Sequence, residues 1–166
     1  SYNPNQYYKS DVSLFKNWTV SDLYEPGSTF KPLNIAIALE EKVITPKTII
    51  NDTGAITVDR WPIKNASRKA NGRLDIAGVL QTSSNVAMVQ IMQRLNRQVY
   101  YRRLAELGLD QTSGIDLPGE VAGHLKSEEE FTRQAIETAT ASFGQGFSLT
   151  PIKLIQLHAA LANGGH

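Results

Sequence analysis

Residues 25–32 read Glu-Pro-Gly-Ser-Thr-Phe-Lys-Pro, and the nearly all-apolar run 33–39 follows them directly. The Pro-Gly pair ends any preceding element, and Ser28 is a favoured residue for opening a helix. The run behind it is long enough for a buried helix, so the sequence predicts one over about 28–41. Because Pro32 lacks a backbone donor, the first turn of that helix is expected to be irregular.

Ser28 and Lys31 occupy one turn of the predicted helix. Residues three apart face the same side, so the Lys31 amine is expected within hydrogen-bond reach of the Ser28 hydroxyl. A serine hydroxyl is a weak nucleophile at neutral pH unless a base takes its proton. Lysine serves as that base where burial, a helix N-terminus or a nearby cation lowers its pKa. The stretch therefore predicts an activated serine.

The Ser-x-x-Lys spacing is not specific by itself. The chain has 12 serines and 9 lysines among 166 residues, so about 0.7 such pairs are expected from composition alone. A second pair, Ser13 and Lys16, lacks both the Pro-Gly breaker and the apolar helix. We interpret that second pair as coincidental, and other residues must decide the role of the first.

Composition suits one globular domain, with 41% hydrophobic and 20% charged residues. A formal net charge of +1 provides no field for nucleic acid, so nucleic-acid binding is not expected. The absence of cysteine excludes thiol catalysis and disulfides. His124, His158 and His166 show no metal-ligand spacing, so neither a metal nor another cofactor is expected.

Most of the chain has helical rather than strand patterns. Pro and Gly residues between short β-prone pieces favour a small hairpin within 42–74. The predicted helices, with Asp75, Thr150 and the Ser127/Glu130 capping box as start signals, are a short turn near 12–16 and segments at about 76–81, 86–95, 98–107, 128–141 and 152–162. The predicted fold class is α/β (α+β), and this portion is mainly α-helical with few short strands.

The polar segment Thr-Ser-Ser-Asn at 82–85 separates two apolar helices. Ser-x-Asn is a common pair, since 12 serines and 10 asparagines predict about 0.7 matches by composition. The informative feature is the position of Ser83 and Asn85 in a polar segment between two apolar helices. The hydroxyl of Ser83 can relay a proton there, and the amide of Asn85 can hold a lysine amine or a substrate amide.

Several segments, in this order, resemble the class B penicillin-binding proteins, the transpeptidases of cell division and elongation. The resemblance covers about 22–166 and implies a penicillin-binding protein transpeptidase or serine β-lactamase-like fold, of which 1–166 is a partial, incomplete domain. The segments that carry it are Tyr-Glu-Pro-Gly-Ser-Thr-Phe-Lys-Pro at 24–32, Thr-Ser-Ser-Asn-Val at 82–86, Gly-Ile-Asp-Leu-Pro-Gly-Glu at 114–120, Ser-Phe-Gly-Gln-Gly at 142–146, Thr-Pro at 150–151 and Ala-Asn-Gly-Gly at 162–165.

The resemblance implies a catalytic set of four residues. Ser28 is expected to attack the penultimate D-Ala carbonyl of a peptidoglycan stem peptide, releasing the last D-Ala and leaving an acyl-enzyme. Lys31 is expected to act as its base, and Ser83 with Asn85 to complete the proton network. An amine of a neighbouring stem peptide then resolves the ester, whereas a β-lactam leaves Ser28 stably acylated. Backbone N–H groups, one of them that of Ser28, are expected to hold the oxyanion.

The implied partners are stem peptides ending in D-Ala-D-Ala, β-lactam antibiotics and other cell-wall synthesis or division proteins. A segment outside this chain is expected to anchor the protein in the inner membrane, with the catalytic domain on the periplasmic side. One departure is the absence of the family's third motif, Lys-Thr-Gly or Lys-Ser-Gly. We expect this motif to be cut off with the strand that carries it, or to be supplied by another chain.

Two other functions are weighed against the transpeptidase. A β-lactamase needs a carboxylate-activated water, and the absence of Glu-x-x-Leu-Asn together with Ser-Ser-Asn in place of Ser-Asp-Asn disfavours that function. A non-hydrolytic β-lactam receptor or sensor, or an inactive interaction scaffold, is the alternative, because a sensor would keep the same four residues.

Overall fold

A computed structural model describes residues 2–165 of the chain, which form eight α-helices and four short strands in that range. The helices are α1 Trp18–Ser21, α2 Lys31–Glu40, α3 Ile76–Gln81, α4 Asn85–Met92, α5 Arg97–Glu106, α6 Glu128–Arg133, α7 Ala135–Ala141 and α8 Pro151–Ala162. The strands are β1 Ile50–Asp52, β2 Ala55–Val58, β3 Trp61–Lys64 and β4 Gly72–Leu74. Short 3-10 helices occur at Pro4–Lys9, Val12–Phe15 and Gly27–Phe30.

Helix α4 lies at the centre of the domain. Its residues Val86–Val89 and Ile91 are fully buried, as expected for a helix that is apolar on all sides. It packs against α2, α7, β1 and β3. The segment that follows the polar break at 82–85 therefore contacts the helix that follows Ser28.

The segment 42–74 forms two antiparallel strand pairs, one of them a hairpin, which confirms the predicted small hairpin. Strand β1 pairs with β4. Strand β2 pairs with β3 in a hairpin, in a register that places Ala55 opposite Lys64 and Val58 opposite Trp61. The hairpin packs its buried residues, Val58 and Ile63, against Val89 of α4 and against α7. These strands thus flank α4.

The predicted helix starts are confirmed, but one predicted helix is wrong. Asp75, Ser127 and Thr150 each cap a helix, and Ser127 forms the full capping box with Glu130. The segment 128–141 is divided into α6 and α7 by Gln134, whose backbone is extended at φ −120° and ψ 142°. The division lets α6 pack on α5 while α7 packs on α4, which one straight helix cannot do.

None of the helices in 2–165 combines the length and the apolar character needed to cross a membrane.

Candidate active site

The Ser28 segment begins with a 3-10 turn, Gly27–Phe30, and becomes α-helical only at Lys31. The irregular first turn predicted from Pro32 is therefore confirmed. Phe30 is fully buried and packs edge-to-face on Phe147, with 4.8 Å between ring centroids. The turn thus packs its Phe30 side against the core, and Ser28 lies on the exposed side of the turn.

Lys31 is a buried lysine with only 1% of its surface exposed. Its amine donates hydrogen bonds to the Ser83 carbonyl at 2.6 Å, the Ser83 hydroxyl at 3.0 Å and Asn85 Oδ1 at 2.7 Å. Burial lowers the pKa of Lys31 to about 8. Since three acceptors match the three protons of an ammonium group, the site holds a charged lysine that deprotonates easily.

The structure brings Lys31, Ser83 and Asn85 together but does not show the expected contact with the Ser28 hydroxyl. Among residues 2–165, the hydrogen bonds of the Lys31 amine go only to Ser83 and Asn85. The Lys31 backbone N–H instead donates to the Ser28 carbonyl. The physical reason is that the polar segment at 82–85 occupies every proton of the amine.

Ser83 has an unusual backbone, with φ at +51°. Non-glycine residues rarely adopt this left-handed conformation. The turn directs both the carbonyl and the hydroxyl of Ser83 to the same amine, while Asn85 begins α4 and donates from Nδ2 to the Lys64 carbonyl at 3.1 Å. No sequence signal marks a serine as left-handed, so sequence reasoning missed this feature.

The Ser-Phe-Gly-Gln-Gly segment docks directly against the residues before Ser28. The Gly27 N–H donates to the Gly144 carbonyl at 2.8 Å, and the Gly146 N–H donates to Glu25 at 2.9 Å. A Cβ atom on Gly144, which has φ +81°, would lie 2.1 Å from the Gly27 carbonyl oxygen. Gly144 and Glu25 therefore join this segment to the turn that carries Ser28. The sequence analysis did not assign these contacts, although the paired glycines were a usable signal.

The second Ser-x-x-Lys pair has a different environment. Ser13 and Lys16 are exposed, and Lys16 forms an ion pair with Asp22. This environment agrees with its interpretation as coincidental, because an exposed ammonium in an ion pair is a poor base.

An open cleft of about 510 Å³ lies beside Asn85, between the β2–β3 hairpin and α7. Aromatic and aliphatic side chains line much of it, including Trp61, Ile63 and Phe143. Clefts with apolar walls and a few polar groups are typical of ligand sites. Within the described range 2–165, no group of three His, Cys, Asp or Glu residues is arranged to hold a metal ion; His166 lies outside that range.

Comparison with known proteins gives a consistent family. The family model described as "Penicillin binding protein transpeptidase domain" matches residues 1–166. The chain is 47% identical to the peptidoglycan D,D-transpeptidase FtsI homolog of Mesostigma viride, over 100% of this chain and 29% of that protein. It is 31% identical to peptidoglycan D,D-transpeptidase FtsI of Escherichia coli K12, over 99% of this chain and 27% of that protein.

A solved structure shares the fold. The transpeptidase domain of penicillin-binding protein 3 from Burkholderia pseudomallei matches with a TM-score of 0.84 and 30% sequence identity, over 92% of this chain and 45% of that chain. The present chain thus spans less than a third of the length of the two curated relatives and under half of the solved domain.

Proposed function

Because the chain belongs to the penicillin-binding protein transpeptidase family, we propose that it carries the nucleophile, base and proton relay of a peptidoglycan D,D-transpeptidase. Ser28 is the nucleophile, Lys31 the base, and Ser83 with Asn85 the relay. The observation that supports this assignment most directly is the Lys31 amine, buried one turn from Ser28 and bonded to residues more than 50 positions away.

Lys31 becomes a base by losing one of its three donated protons. Burial lowers the pKa of Lys31 to about 8, so about a tenth of the amine is neutral at pH 7. The Ser83 carbonyl and Asn85 Oδ1 can only accept, whereas the Ser83 hydroxyl can also donate. The 3.0 Å contact between that hydroxyl and Nζ is thus the one that can reverse, which lets Ser83 pass a proton while Asn85 keeps the amine in place.

In the proposed reaction, Ser28 Oγ forms a bond to the penultimate D-Ala carbonyl carbon and gives its proton to the neutral Lys31 amine. The peptide bond to the last D-Ala then breaks, and its nitrogen takes a proton through Lys31 and Ser83. The amine of a second stem peptide then attacks the ester carbonyl carbon, a new amide bond forms as the ester C–O bond breaks, and the proton of the amine passes through Ser83 and Lys31 to Ser28 Oγ. The backbone N–H of Ser28, at a helix start, is one donor to the oxyanion, where a single donor contributes about a hundred- to a thousandfold in rate.

The proposal extends to partners and location. The substrates are stem peptides ending in D-Ala-D-Ala, and β-lactams acylate Ser28 because they present a reactive amide in the same position. Other proteins of cell-wall synthesis or division are the proposed macromolecular partners. The proposed location is the outer side of the cytoplasmic membrane, where peptidoglycan is cross-linked.

A fluorescent penicillin combined with intact-mass analysis tests the proposal. The full-length gene product that contains residues 1–166 is expected to gain one penicilloyl group on Ser28, and Ser28→Ala and Lys31→Ala are expected to abolish it. The matched controls Ser13→Ala and Lys16→Ala alter the second pair of the same spacing and should label like the wild type. Failure of the folded wild type to label would favour the interaction scaffold, and rapid loss of the label would favour a β-lactamase.

A further inference from the structure

Asp52, at the end of β1, is a carboxylate with only 1% of its surface exposed. It accepts hydrogen bonds from the Gly54 N–H at 2.8 Å, from Asn65 Nδ2 at 2.8 and 2.9 Å, and from Asn71 Nδ2 at 2.5 Å. Burial raises the pKa of Asp52, but these donors outweigh burial and leave the pKa below its ordinary value. No ion pair includes Asp52 within residues 2–165, so neutral donors stabilise its charge. Besides the amides, the Ser84 side chain contributes to lowering the pKa of Asp52.

The carboxylate determines which way the Asn65 amide points. An ionised carboxylate only accepts hydrogen bonds, so Asn65 must turn its NH₂ group to Asp52, and this group also donates to the Lys69 carbonyl at 2.9 Å. The Asn65 carbonyl oxygen therefore faces α4. There it accepts from the Ser84 hydroxyl at 3.3 Å and from the Val86 N–H at 3.2 Å.

These contacts hold the residues on both sides of Asn85. Ser84 is fully buried, and its hydroxyl caps α4 by accepting from the Ala87 N–H at 2.9 Å. Ser83, which precedes it, has the left-handed backbone with φ +51°. Such conformations are energetically unfavourable and persist only where the surroundings enforce them. The end of α3 contributes to this, because the Ser83 N–H donates to the Leu80 carbonyl at 3.1 Å and the Ser84 N–H donates to the Val79 carbonyl at 3.2 Å. The buried contacts from Asp52 through Asn65 hold Ser84 from its other side.

We propose that Asp52 and Asn65 are positioning residues of the active site, which hold the Ser83 turn so that its carbonyl and hydroxyl both meet the Lys31 amine. Neither residue bonds to Ser28 or Lys31. Both act through Ser84 and Val86. Their effect depends on the direction of the hydrogen bonds: Asp52 accepts from the Asn65 amide, which leaves the Asn65 carbonyl oxygen free to accept from Ser84 and Val86. The assignment of a catalytic effect rests on the proposed function.

The test compares acylation rates of folded protein. In the full-length gene product, Asp52→Asn is expected to lower the rate constant of penicillin acylation by about tenfold or more, because small displacements of catalytic groups have effects of this size or larger. Its pH profile is expected to have a midpoint displaced from that of the wild type. Leu104→Ala, a remote core truncation on α5, controls for lost stability, and Asp75→Asn, at an exposed helix cap, controls for lost charge; both should label at the wild-type rate.

An exchange variant separates positioning from general stability. Combining Asp52→Asn with Asn65→Asp reverses the amide and the carboxylate but leaves an acceptor facing Ser84 and Val86, so it is expected to recover most of the lost rate. Where Asp52→Asn fails to fold, Ser84→Ala replaces it, with the same expected loss. Wild-type rates and an unchanged pH midpoint in a folded Asp52→Asn or Ser84→Ala protein would overturn the inference.

A structural readout distinguishes this inference from the proposed function. The ¹³C chemical shifts of Ser83 report its backbone conformation whether or not the protein reacts with penicillin. They are expected to indicate a left-handed Ser83 in the wild type and loss of that conformation in Asp52→Asn. Failure of the wild type to label refutes the function alone, whereas an unchanged Ser83 in Asp52→Asn refutes the positioning role alone.

Discussion

Replacing Gly144 by alanine tests how the Ser28 turn is held in place. The added Cβ would lie 2.1 Å from the Gly27 carbonyl oxygen and 2.8 Å from the Gly27 nitrogen, where real Cβ atoms essentially never come closer than 3.0 Å. The two backbones must therefore separate by about 1 Å. Because Gly27 directly precedes Ser28, the proposed nucleophile, a shift of that size is expected to slow acylation by about a hundredfold, or about 2.7 kcal/mol in activation free energy.

The same substitution also affects stability, so the assay needs a control for backbone strain. Overpacking costs about 1–3 kcal/mol, and a left-handed alanine adds about 1–2 kcal/mol. Gly119 has the same φ of +81° but no atom within 4 Å of its added Cβ, so Gly119→Ala shares the strain without the clash. Both variants are to be measured by penicillin acylation of folded protein and by thermal melting. If Gly144→Ala reacts as fast as Gly119→Ala, the Gly144 contact does not position Ser28.

Three further predictions concern stability. Burial lowers the pKa of Lys31 to about 8 from 10.5, so between these values the unfolded chain binds a proton that the folded chain releases, and the free energy of unfolding should rise with pH by about 3 kcal/mol. Denaturant titrations at pH 7.5 and 10 should show this rise in the wild type relative to Lys31→Met, and parallel profiles would contradict it. Tyr100→Phe removes the hydroxyl that donates to buried Asn34 Oδ1 at 2.9 Å and should cost about 1–3 kcal/mol in urea unfolding; an unchanged midpoint would mean that another group satisfies that oxygen. Ser127→Ala removes the capping box of α6 and should cost about 1 kcal/mol, measured in the same way, whereas a loss within error would show that α6 is held by packing alone.

Local rules predicted much of the fold because the relevant interactions join residues a few positions apart. A cap such as Asp75 or Ser127 accepts from the backbone N–H three residues ahead, so its signature is readable in the sequence. The break at Gln134 was not readable in this way. It follows from the separate packing of α6 on α5 and of α7 on α4, and no residue near Gln134 encodes it.

The candidate site likewise has features that the sequence predicts and features that depend on tertiary packing. The Pro-Gly breaker, the apolar run and the polar break at 82–85 identified Ser28, Lys31, Ser83 and Asn85 as chemically suitable groups, and resemblance to a family assigned their roles. The sequence also predicted a close Ser28–Lys31 contact from helical spacing. The structure replaces that contact with three hydrogen bonds from the Lys31 amine to Ser83 and Asn85.

The sequence by itself determined which side chains can do the chemistry and where helices start, because residue type and short spacing decide both. Only the tertiary structure decided which acceptors surround Lys31, that Gly144 abuts Gly27, and that buried Asp52 orients Asn65 toward α4. Those relations join residues from 13 to more than 100 positions apart, and they exist only once the elements are packed together. Packing in three dimensions, rather than any local pattern, brings the Lys31 amine together with Ser83 and Asn85.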